Sequence, residues 1–174
     1  GTVWVRQGIR AFWKQPLALS GLFFMFMACM SVLSMVPWVG GFFALIFLPA
    51  ASLGLMAATR EVDLDKFPMP LILVEGLRSG QDGRRKMLVL GLLYACGFIG
   101  VMGLSALVDG GDFAKLYLVG GSLDMDTLMK PEFQNAMWLS LLLYLPLSMV
   151  FWHAPALTHW HGLPAFKSMF FSTV

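Results

Sequence analysis

The chain has 174 residues, 58% of them hydrophobic and only 13% charged, with a net charge of +2. A soluble domain is about a quarter charged, so a largely water-facing surface is excluded. The small net charge, with no basic tract, excludes a nucleic-acid partner. Thirteen Met and 15 Phe supply large apolar side chains that adapt to lipid and to neighbouring helices.

The first element is amphipathic. Val3, Ile9, Phe12 and Trp13 are apolar, while Arg6, Arg10 and Lys14 recur at helical spacing. This predicts a helix over about residues 3–14 lying in the headgroup region. Arg6, Arg10, Trp13 and Lys14 are its lipid-interface residues, and basic groups there attract anionic lipid by about 1 kcal/mol each.

No charge follows until Arg60. As one helix, those 45 uncharged positions would measure about 68 Å, against a bilayer core about 30 Å thick. The run must fold back, and Pro37, Trp38, Gly40 and Gly41 mark the turn. Spans are expected at Leu17–Val36 and Gly41–Ala58, the second kinked by Pro49.

Thr59–Lys86 is polar and basic, with Pro70–Ser79 as a second interfacial element. Met87–Val108 is a third span. Asp109–Asn135 is acidic and carries the Gly110–Gly111 and Gly120–Gly121 pairs, with Phe113–Val119 as a third interfacial element. Ala136–Leu157 is the fourth span and contains Pro146. Lys130–Pro131–Glu132 before it reads as a helix start, because Pro and an acidic group both suit a first turn.

Lipid leaves no backbone group unpaired, and spans of about 20 residues without alternation exclude a β-barrel. The expectation is an all-α membrane protein, one domain over 1–174. It has at least four transmembrane helices as two hairpins, plus interfacial amphipathic helices. Gly1 at the start, and the apolar turn of Phe166–Val174 at the end, mark a fragment truncated at its C-terminus. The N-terminal apolar run is too long for a cleavable signal.

Basic residues hold loops in the cytoplasm, and ten of the 12 Lys and Arg fall on one side. The N-terminus, the 59–86 loop and the 158–174 end are therefore expected in the cytoplasm of a bacterium, with the acidic 109–135 loop outside. Trp4, Trp13, Trp38, Trp138, Trp152 and Trp160 fall near helix ends, as an interfacial belt does.

A short pattern recurs. Pro49–Ala50, Pro70 and Gly76–Leu77–Arg78–Ser79 are matched by Pro155–Ala156, Pro164 and Ala165–Phe166–Lys167–Ser168, with an echo at Gly8–Ile9–Arg10–Ala11–Phe12. Such repeats occur in transporters and also in structural membrane domains.

Several segments resemble a family of uncharacterised multi-pass inner-membrane proteins of proteobacteria. They are Arg6–Phe12, Gln15–Phe24, Leu48–Pro49–Ala50, His153–Leu157 and His159–Pro164, then Lys167–Ser172. The resemblance implies a bacterial inner-membrane location and a longer C-terminus. It implies no activity, cofactor or functional residue.

Candidate chemistry is sparse. His153, His159 and His161 cluster at the inner end of the fourth span, and His153, inside it, is the candidate ligand for a haem or pigment. On a helix His159 and His161 diverge, so they converge only in a turn. Asp109, Asp112, Asp124 and Asp126 fit no EF-hand spacing. Cys29 and Cys96 lie in apolar runs without a redox or metal motif. The spans hold no Asp, Glu, Lys or Arg, which disfavours ion-coupled transport.

In the third span Gly91, Ala95, Gly97, Gly100 and Gly103 form a helix-packing stripe. The expected function is a non-enzymatic accessory, assembly or stabilising subunit of a respiratory, photosynthetic or secretory inner-membrane complex. Its partners are lipids and other integral subunits, and no cofactor is assigned. A transporter or lipid-handling protein, with a mid-membrane cavity lined by Pro49, Pro146 and nearby Ser, is the alternative. A cofactor- or pigment-binding subunit using His153 is the third.

Overall fold

A computed structural model describes residues 2–36, 39–120 and 124–174, residues 2–4 by their backbone alone. Pro37, Trp38 and Gly121, and the side chains of Val3 and Trp4, lie outside the described residues. Every regular element among those described is helical. They are α1 (Thr2–Lys14), α2 (Pro16–Ser34), α3 (Gly40–Asp63), a 3-10 turn (Pro70–Val74), α4 (Glu75–Arg78) and α5 (Gly80–Asp109). There follow α6 (Asp112–Val119), α7 (Met125–Leu128), α8 (Pro131–Trp152), α9 (Ala154–Trp160) and α10 (Ala165–Thr173). α2, α3, α5 and the α8–α9 run are long and apolar enough to cross a membrane. The chain is an all-α integral membrane protein.

The helices outrun the apolar spans. α5 begins at Gly80 rather than Met87, and α3 continues past Ala58 to Asp63. Thirty residues make α5 about 45 Å long, so its Gln81–Lys86 turns stand beyond the hydrocarbon. α3 runs past Pro49 without interruption.

The fourth span, expected as one helix over Ala136–Leu157, is two: α8 starts at Pro131 and stops before His153. Pro155 cannot donate, and its ring opposes the carbonyl four residues back. A hydroxyl completes the break. Ser172 of α10 donates to the Met149 carbonyl at 2.8 Å and accepts the His153 N–H at 3.0 Å. These two backbone groups would otherwise bond each other in an unbroken helix.

The core lies between α3, α5 and the α8–α9 junction. Leu53, Leu90, Tyr94, Phe151, Ala154 and Ala165 form one buried cluster. A side chain at Gly91 would strike the Ile46 carbonyl of α3, so its absence lets α3 and α5 touch backbone to backbone. α2 stands to the side and buries only Leu22, which packs with Ala57, Ala58 and Ile72.

The 70–79 segment differs from expectation. It is a 3-10 turn followed by a single helical turn rather than one amphipathic helix, with Leu71 and Val74 exposed. Ile72 and Gly76 are buried, and the Leu73 backbone sits against Gly54 of α3. The turn dips back along α3, held there by apolar burial at Ile72 and by two glycines that allow close approach.

α1 is the amphipathic helix expected, with only Ala11 buried among its described side chains. Its end is clipped to the end of α3. Lys14 Nζ donates to Asp65 Oδ1 at 2.9 Å and to the Asp63 carbonyl at 3.1 Å, and Gln15 Nε2 donates to the Lys66 carbonyl at 3.2 Å.

Candidate functional site

Three places carry features beyond simple packing: one face of α5, a cleft near the acidic loop, and a polar cavity at the basic end.

The small residues of α5 divide into two sets. Gly91 and Ala95 are buried against the bundle, and Gly97 faces Leu147 of α8, 2.7 Å from where a Cβ would stand. Gly100 and Gly103 meet nothing within 4 Å. With exposed Cys96 they form a smooth strip on the outward face, one turn apart.

The cleft lies between α5, α6 and α8. Its volume is about 440 Å³, and Phe98, Met102, Tyr117, Met137, Trp138 and Tyr144 line it. Ring contacts build its walls: Phe98 lies 5.7 Å from Tyr117 and 6.1 Å, edge to face, from Tyr144. Behind it the Tyr94 and Tyr144 hydroxyls pair at 3.3 Å, which satisfies two polar groups inside the span. α6 is set against the cleft by Asp109, whose carboxylate accepts the Gly111 and Phe113 N–H groups at 2.8 and 2.7 Å. Left-handed Gly110 and Gly111 (φ 72° and 96°) turn the chain there.

At the basic end the histidines separate. The His153 ring is exposed, and the structural work at that position is done by its backbone. His161 is exposed beyond α9. His159 points inward, with Nδ1 2.7 Å from the Ser79 hydroxyl and Nε2 3.8 Å from Glu75 Oε1. Beside it the Arg60 guanidinium lies over the Trp160 ring at 5.3 Å, a cation–π contact. No group of three or more His, Cys, Asp or Glu stands together among the described residues.

The lipid-interface set is divided too. Arg6, Arg10 and Trp13 are exposed on α1, whereas Lys14 is engaged with Asp65. Sequence reasoning missed Glu75, Ser79 and Arg60 as partners of the α9 end. The available signal was the apolar Phe67–Val74 run inside a basic loop.

The chain is 41% identical, over its whole length, to a probable inner membrane protein of Burkholderia thailandensis. The chain spans 66% of that relative's length. No protein-family model and no solved structure matches it. The four apolar helices of this chain imply contact with lipid.

Proposed function

We propose that this inner-membrane protein is a non-enzymatic scaffold: an accessory, assembly or stabilising subunit of a larger respiratory, photosynthetic or secretory complex. Its basic end, with the N-terminus, faces the cytoplasm. The observation that carries the reading is the Cys96–Gly100–Gly103 strip. Lower on the same helix, Gly91 and Gly97 serve close helix contact; the upper strip is likewise small, and its glycines have no neighbour among the described residues. Without a hydrophobic driving force in lipid, helices associate by such smooth, closely packed surfaces.

A second reading, lipid or apolar-solute handling, is favoured by the aromatic cleft. The path first expected for it is not assembled: Pro49 is buried in the core and Pro146 is exposed on α8.

The test is a mild-detergent pull-down of the tagged full-length protein with mass spectrometry. The wild type is expected to bring down an integral-membrane partner in fixed ratio. Gly100→Ile/Gly103→Ile should lose it at an unchanged melting temperature, because nothing inside the bundle meets those positions. A wild type that purifies alone overturns the scaffold reading.

A further inference from the structure

We infer that the polar cavity at the basic end binds the headgroup of a zwitterionic phospholipid, an ammonium–phosphate dipole of the phosphoethanolamine type. The cavity measures about 200 Å³ and lies between the end of α3, the following turn and α9. Arg60, Lys66, Glu61 and Glu75 line it with Ile72 and Trp160.

Two cations and two anions thus share one small space. Yet among the described residues Arg60, Glu61 and Lys66 make no ion pair, and Glu75 approaches only His159, at 3.8 Å. Arg60 is fixed over Trp160, and Lys66 stands on a turn whose carbonyls are tied to Lys14 and Gln15. Charges of both signs that are close but unpaired complement a ligand carrying both signs at fixed separation.

Depth selects a lipid. Arg60 ends the uncharged run of α3, and Trp160 is the ring type found at headgroup level. The volume holds about seven waters at ~30 Å³ each, room for a headgroup but not an acyl chain. Buried Ala57 and Ile72 give the cavity an apolar floor. An anionic lipid would satisfy Arg60 and Lys66 and leave both glutamates beside its phosphate, so the lining favours the zwitterion.

The experiment uses the full-length protein in nanodiscs of equal phosphatidylethanolamine and phosphatidylglycerol, extracted gently, with retained lipid counted by native mass spectrometry. The wild type is expected to retain phosphatidylethanolamine over phosphatidylglycerol by about fivefold. Glu61→Gln/Glu75→Gln keeps side-chain shape, and is expected to lose that preference and gain phosphatidylglycerol at an unchanged melting temperature. Lys66→Gln should lower retention of both lipids. Retention of both lipids in the bilayer ratio by the wild type overturns the inference, as does a double variant that keeps the preference. Free phosphoethanolamine that displaces the retained lipid at equal concentration also overturns the lipid assignment, and would mark a soluble ligand.

Discussion

Gly91 and Gly100 sit on one helix, yet their substitutions should behave oppositely. Alanine at 91 puts a methyl against the Ile46 carbonyl, and backbone, unlike a side-chain tip, cannot swing away. The expected loss is about 1–3 kcal/mol, read as a lower melting temperature in detergent. Alanine at 100 meets open space and should leave stability within about 0.5 kcal/mol. Ser172 offers a second residue-scale test. Ser172→Ala leaves the His153 N–H and the Met149 carbonyl without the hydroxyl that joins them, at an expected cost of about 1–3 kcal/mol. Equal melting temperatures for Ser172→Ala and wild type would show that the bridge contributes nothing.

At the scale of elements, Asp109 couples α5 to α6. Its two charge-assisted bonds fix the first turn of a helix of only eight residues, too short to persist alone. Asp109→Ala should cost about 0.5–2 kcal/mol and speed amide exchange over 112–119 while the α5 core stays protected. Unchanged exchange in α6 would show that its ring contacts suffice.

The sequence made the spans legible because lipid excludes charge: the 45-residue run and its Pro37–Gly41 break leave few alternatives. It was less informative about where helices stop. Apolarity reports the hydrocarbon, whereas α5 continues through Gln81–Lys86 in water, where helix propensity decides. The 70–78 dip was hidden for a related reason. Phe67–Val74 is too short to span, and its apolar side chains are divided: Ile72 packs against α3 while Phe67, Met69 and Leu71 stay exposed. Spacing alone marked the glycines as small; that Gly91 and Gly97 face inward while Gly100 and Gly103 face out depends on where α3 and α8 lie. Among the histidines, position inside the span pointed to His153, but the contacts belong to His159, because Pro155 breaks the helix between them.

For the whole molecule, the two ends differ in charge, and the excess of Lys and Arg at one of them predicts that this end is cytoplasmic. In a variant with Cys29 and Cys96 replaced by Ala, cysteine at Lys130 should react with an impermeant maleimide in intact cells. Cysteine at Lys66 should react only after lysis. The reverse pattern would invert the bundle.

The side placement of α2 also bears on membrane thickness. α3, α5 and α8 share glycine contacts and a continuous core, whereas α2 buries only Leu22 and meets α3 through it, through part-buried Leu19 and Met25, and at the Gly40 end. With so little of its surface buried, α2 is the helix expected to adjust its tilt first when bilayer thickness changes.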